Sequence, residues 1–250
     1  MEFREWEPEY RSILGTFGFT RAEDEAAAEE LRRLLPAAKH PLLGTLAEDA
    51  LRRRLQGKDV VLVGRGPGLL PLPLPSPWLE AGDRAVVSAD GATSACLAHG
   101  TVPQVIVTDL DGRLPDEVEA NLRGALVLVH AHGDNRAAMR EWVPRFPRAV
   151  AGSCAAAPGR GLLNPGGFTD GDRGVFLCEE FGARSVLLVG FDFANPRAEP
   201  EGTLEVKRRK LAVARRLIEQ VAARGRTRVL VLTPEMKVRP FAAPGARGSF

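Results

Sequence analysis

The sequence predicts an α/β fold: a doubly wound, mostly parallel, Rossmann-like sheet with a small helical N-terminal region. Three features predict it. Short apolar runs rich in β-branched residues recur between residues 59 and 232. Helix-length spacers separate them, so strands and helices alternate. Turns rich in Gly and Asp follow the runs, at the end where open α/β sheets bind ligands.

Residues 1–57 stand apart from the rest. Thr20 precedes a run of strong helix formers, with Glu23 in the capping-box position, so a helix is expected over 21–35. A second is expected over 42–55, with Pro36 and Pro41 bracketing the join. This region either shapes one side of a cleft or only packs on the main domain. Seven strands are expected, at 59–63, 84–88, 104–108, 125–130, 148–152, 185–189 and 228–232. Runs such as DVVLV and SVLLV are continuously apolar after their first residue, which suits strands buried on both faces. Helices are expected at 93–100, 115–122, 136–143, 172–182 and 204–224, the last ended by Gly225. The proline-rich LLPLPLPSPW reads as a rigid connector. The expected organisation is a helical region (1–57), an α/β domain (58–240) and a loose tail (241–250).

Composition narrows the function. Of 250 residues, 44% are hydrophobic and 26% charged, enough apolar side chain for a sizeable core. The formal net charge of +2, with no long basic cluster, gives little support to a nucleic-acid binder. No apolar run approaches the roughly 20 residues of a membrane span. The charged N-terminus does not read as a signal peptide. Cys96, Cys154 and Cys178 match no close metal spacing and suit a reducing cytoplasm.

Polar residues gather after the strands. Asp109 and Asp111, in an Asp-x-Asp turn, either send two carboxylates toward one hard cation or serve as a helix cap and a turn residue. Gly64, Gly66 and Gly68 either let backbone N–H groups approach a phosphate or make a tight strand-to-helix turn. Leu69 stands where the dinucleotide fingerprint needs its third glycine, which disfavours NAD and FAD. His130 and His132 suit a transition metal with Asp134, a phosphate or heterocycle contact, or, for His130, a core role. Asp170 and Asp172 read as helix caps or water-mediated metal partners, and Arg173 as a phosphate partner. Lys207 and Lys210 either reach toward phosphates or lie on a solvated helix face. Asp90, Asn164 and Asp192 also fall in these turns.

VGRGPGL (63–69), ADGATSACL (89–97), VTDLDG (107–112), HAHGDN (130–135), NPGGFTDGDR (164–173), LLVGFDF (187–193) and KRRKLAVARRL (207–217) together resemble the archaeal 6-hydroxymethyl-7,8-dihydropterin pyrophosphokinase (MptE-like) family. That family is more distantly similar to thiamin pyrophosphokinases. The resemblance implies transfer of the β,γ-pyrophosphate of ATP to a reduced pterin with release of AMP. It implies Mg²⁺ on Asp109 and Asp111 with Asp172 as a third acidic partner, and Arg173 and Lys207 on the phosphates. It implies Gly64, Gly66 and Gly68 at the nucleotide, and Asp90, His130, His132, Asn164 and Asp192 at ATP or pterin. A cytoplasmic homodimer is implied as well. A thiamin pyrophosphokinase, a nucleotide-sugar glycosyltransferase and a non-enzymatic nucleotide-binding module remain as alternatives at this stage.

Overall fold

A computed structural model describes residues 3–66, 84–195 and 203–241. In chain order its elements are α1 (Phe3–Phe17), α2 (Arg21–Leu34), β1 (His40–Leu42), α3 (Thr45–Leu55), β2 (Asp59–Val63), β3 (Ala85–Ala89), α4 (Ala92–Ala98) and β4 (Val105–Thr108). There follow α5 (Leu114–Leu122), β5 (Leu126–Ala131), α6 (Arg136–Trp142), β6 (Ala149–Cys154), α7 (Asp170–Glu180), β7 (Ser185–Val189), α8 (Thr203–Arg224), β8 (Arg228–Leu232) and β9 (Val238–Pro240). Gly68, the proline-rich connector and residues 242–250 lie outside the described residues.

Among the described residues nine strands form one sheet, ordered β1-β6-β5-β4-β3-β2-β7-β8-β9. Each pairing is parallel except the last, β8 with β9. The chain winds from β2 outward to β6, then returns to the other flank of β2 as β7. The strand order therefore reverses between β2 and β7, where a crevice opens beyond the carboxyl ends of open α/β sheets.

Strand residues alternate between two buried faces. Val60, Leu62, Val87, Val107 and Leu128 pack with α1, α3, α7 and α8. Ile106, Val127, Val129 and Val150 pack on the other face with α2, α5 and α6, and Val61, Val63, Val86 and Leu187 with α4. Cover on both faces explains why the strands read as unbroken apolar runs.

The seven expected strands are present, three with the expected bounds (59–63, 185–189 and 228–232) and the others with ends shifted by one or two residues. The helix expected over 42–55 begins only at Thr45, because His40–Leu42 pairs with β6 instead. Helix α7 starts at Asp170 rather than 172, because Thr169 is its N-cap. Three elements were not expected. Helix α1 buries Trp6, Tyr10 and Ile13 at helical spacing although Pro8 lies inside it. Strands β1 and β9 are three residues long, too short to show a period.

The N-terminal helices are bound to the sheet's other layers. The Trp6 indole Nε1 donates to the Ala155 carbonyl (3.1 Å), and its ring meets Phe176 edge-on at 5.9 Å. Arg216 of α8 pairs with Glu9 through both carboxylate oxygens. Arg136 and Arg140 of α6 converge on Glu30 of α2. Thr20 caps α2 by accepting from the Glu23 amide at 3.2 Å.

At the switch point the chain after β2 runs against the chain after β7. Gly64 N donates to Val189 O (2.8 Å) and Gly66 N to Gly190 O (2.6 Å). A Cβ on Gly66 would lie 2.3 Å from that same carbonyl. We predict that Gly66→Ala prises these two turns apart and lowers stability by about 1–3 kcal/mol, read as the urea midpoint. An unchanged midpoint would show that the contact is not needed.

Candidate active site

Strands β3 and β4 end side by side, and both end in aspartate. Asp90 and Leu110 have left-handed backbones, at φ 43° and 70°. Such a conformation is uncommon for an L side chain and costs of order 1 kcal/mol or more. At Leu110 it is held by burial of the side chain among α2, α5 and α6 and by a bond from its amide to Thr108 Oγ1 (2.9 Å). With the leucine anchored, Asp109 and Asp111 flank it and converge with Asp90. Ligand oxygens of these three carboxylates lie within 4.8 Å of one another.

Their hydrogen bonds fix Asp90 most firmly. Its Oδ1 accepts from Thr108 Oγ1 (2.9 Å) and from Gly112 N (3.1 Å). Gly112 must lack a Cβ, which would otherwise lie 2.5 Å from Asp90 Oδ2. The fully buried Glu117 lies behind, within 3.1 Å of Thr108 Oγ1. Burial, then the charge of Asp90, pushes its carboxyl well above the usual range.

The other two members, Asp109 partly buried and Asp111 exposed, differ from each other. Burial opposes ionisation of Asp109, yet His132, whose Nε2 is 3.5 Å from Asp109 Oδ2, outweighs it and holds that carboxyl low. Protein crowded around Asp111, then the charges of Asp109 and Asp90, raise its carboxyl to about 7. Asp109 Oδ1 is buried with no hydrogen-bond partner. A compact acidic set with an orphaned carboxylate oxygen fits a hard divalent cation, which takes oxygen ligands and removes the repulsion.

Two cavities open beside this group. One, about 520 Å³, has aromatic and apolar walls from α1 and Phe19, takes the acids Glu23 and Asp24 from α2, and is closed by His130, His132, Phe168 and Arg173. The other, about 650 Å³, lies at the switch point, with Gly64, Arg65, Gly66, Gly91, Gly190 and Asp192 in its walls. Asp111, Thr169, Asp170, Lys207 and Lys210 line both. They form a shared partition carrying charge of both signs.

Comparison with known proteins agrees with this geometry. The profile of the MptE-like family of 6-hydroxymethylpterin diphosphokinases matches residues 33–198. The chain belongs to this family. A 6-hydroxymethyl-7,8-dihydropterin pyrophosphokinase of Pyrococcus furiosus is 39% identical over 241 residues, covering 92% of this chain and 98% of its own. The enzyme so named from Methanothermobacter thermautotrophicus is 39% identical, over 92% of this chain and 99% of its own. That of Methanocaldococcus jannaschii is 34% identical, over 87% and 95%. The MptE-like chain is thus an enzyme of the diphosphate-transferring class. Among the described residues no helix is long and apolar enough to cross a membrane.

In this MptE-like chain the expected site residues divide into cavity linings and braces. Gly64, Gly66, Asp90 and Asp192 line the glycine-rich cavity, and Asp109, His130 and His132 the aromatic one. His130 is buried and shares a 3.1 Å hydrogen bond with Ser153 Oγ. Burial and the nearby Arg173 push its imidazole well below the usual range. Asp172 is almost wholly buried in the α7 cap, where it accepts from Phe168 N (2.6 Å) and Thr169 N (2.8 Å). Asp172 also lines the glycine-rich cavity, and its neighbour Asp170 lines both cavities. Arg173, 1% exposed, donates to the Gly166 and Phe168 carbonyls at 3.1 and 3.3 Å, and its buried Nε has no partner. Asn164 bonds the carbonyls of Ala155 and Ala156 and the Gly166 amide, bracing the same loop.

Among the lining residues that escape the sequence reading are Arg65, Trp6, Tyr10 and Asp24. Arg65 lies inside the glycine motif, where its charge was legible. The other three come from helices distant in sequence from every strand-end motif.

Two outcomes are expected. In cation-free protein, the Asp111 carboxyl is raised from 3.8 to about 7, so its ionisation costs stability as pH rises between those values, and the loss is complete above them. Asp111→Asn should melt higher than the parent near pH 8, the difference vanishing near pH 4. A pH-independent difference would refute the assignment. Arg173→Met should lower unfolding free energy by about 1–3 kcal/mol, read by urea unfolding, since it leaves the Gly166 and Phe168 carbonyls without their donor.

Proposed function

We propose that this chain transfers the β,γ-pyrophosphate of ATP to the hydroxymethyl oxygen of 6-hydroxymethyl-7,8-dihydropterin, releasing AMP. The observation that carries this reading is the shared partition. A two-substrate transfer needs two sites that meet at the reacting atoms, and five residues belong to both cavities. The pterin follows from the names of the relatives and from the aromatic wall of one cavity.

ATP is assigned to the glycine-rich cavity. Gly64 and Gly66, their amides committed to Val189 and Gly190, add no side chains of their own to that wall, and Arg65 adds a cation. Lys207 and Lys210 lie one helical turn apart on α8 and face both cavities, placed to balance charge on the transferred group. Mg²⁺ held by Asp90, Asp109 and Asp111 would supply further neutralisation of the phosphate oxygens. His132 keeps Asp109 ionised for that role. Asp172 and Arg173 hold the loop that carries Thr169 and Asp170 to the partition. The pterin hydroxymethyl group, entering from the aromatic side, meets the phosphates there, and its proton leaves toward the acidic residues of the wall. We place residues 1–57 as part of the acceptor site, the α/β portion as the catalytic frame, and the enzyme in the cytoplasm as a homodimer, the last read by light scattering.

The test is a product assay with ATP, Mg²⁺ and the pterin alcohol. Pterin-dependent AMP is expected, with kcat reduced by about 10²–10³ in Asp109→Ala. ADP instead of AMP, or turnover of thiamin or a sugar nucleotide in place of the pterin, would overturn the reading.

A further inference from the structure

Asp24 is the feature of the aromatic cavity that the transfer chemistry leaves unexplained. It lies in the first turn of α2, is 8% exposed, and lines the cavity. Its Oδ2 accepts from Tyr10 Oη (2.9 Å) and its Oδ1 from the Gly133 amide (3.1 Å). Among the described residues no salt bridge reaches it. A carboxylate so withdrawn from water, without a cation, carries a standing cost. Each oxygen uses one bond and keeps capacity for another.

The three groups come from three places. Tyr10 is on α1, Asp24 on α2, and Gly133 follows β5, so the N-terminal helices and the sheet edge meet at this carboxylate. Two fixed donors hold its plane. Trp6, Phe19 and Phe168 supply flat apolar surface nearby, and His130 and His132 stack with centroids 6.4 Å apart. This pairing of aromatic wall and oriented carboxylate suits a planar heterocycle bearing two adjacent N–H donors. A 2-amino-4-oxopyrimidine ring has that edge: the ring N3–H beside the exocyclic 2-amino group. Adenine offers donors and acceptors alternately along its edge and does not match a paired acceptor.

We infer that Asp24, aligned by Tyr10 and Gly133, reads the amino-pyrimidinone edge of the acceptor and makes the α1–α2 cavity the acceptor subsite. This rests on the proposed pterin reading and names the residue that would select within it. Asp24 touches the far end of the acceptor, not the reacting atoms. Its effect falls on acceptor recognition.

The experiment measures KM for each substrate and kcat in Asp24→Asn and Tyr10→Phe, with melting curves beside them. It also compares the pterin alcohol with its 2-oxo analogue. Asp24→Asn keeps an acceptor for Gly133 but loses one charged acceptor oxygen. We expect its KM for the pterin to rise by about 10–150-fold, with KM for ATP unchanged. The preference for 2-amino over 2-oxo should shrink, because the new amide can donate to a 2-oxo group. Tyr10→Phe leaves Asp24 in place and should show a smaller change in the same direction; it decides the matter if Asp24→Asn does not fold. A rise in KM for ATP instead, with pterin unchanged, would put the nucleotide in this cavity and overturn the inference while leaving the pterin reaction intact. Equal loss against both acceptors would reduce Asp24 to a brace and also overturn it. Absence of pterin-dependent AMP from the parent enzyme would instead sink the underlying function.

Discussion

Negative charge crowded at the ends of β3 and β4 is the constraint from which the rest of the site follows. Asp90, Asp109 and Asp111 repel one another, and nothing in a folded chain gathers such groups without compensation. The fold meets this in several ways at once. A buried leucine in a left-handed turn holds two of the acids on one side of the chain. Thr108 and Gly112 fasten the third. His132, from the next strand, balances one carboxylate, while Asp111 titrates near neutrality. The architecture follows from keeping these strand ends adjacent, which a parallel sheet does naturally.

The same sheet explains how two substrates can meet. Reversal of strand order between β2 and β7 opens one cavity. The N-terminal helices, leaning on α7 and α8 through Trp6 and Glu9, build the other where a bare sheet edge would be open. Thr169 caps α7, Asp170 opens it, and both line the two cavities, so the helix start doubles as part of the wall between them.

What was legible in the sequence follows from the range of the interactions. Strands β2 and β7 show as unbroken valine and leucine runs because burial on both faces leaves no polar position. The Asp109-x-Asp111 turn is visible because both acids lie within three residues. Thr20 and Glu23 mark their helix because a cap is local. By contrast, Asp24 meets Gly133 across 109 positions, and no spacing rule connects them. Trp6 and Tyr10 lie on α1, an element not expected from the sequence, where Pro8 sits inside the helix. Arg173 and Asp172 show the opposite difficulty. Their residue types suit phosphate and metal, but only the packing reveals that their hydrogen bonds go to the loop and the cap.

Under the proposed transfer, the partition common to both cavities would couple them thermodynamically. A polyphosphate against Lys207 and Lys210 on one side would change the field felt by a ligand on the other, and linkage would make the effect mutual. If the first ligand tightens the second tenfold, the second tightens the first by the same factor, about 1.4 kcal/mol. On that reading the enzyme would have no independent half-sites: the affinity of each cavity would depend on what occupies its neighbour.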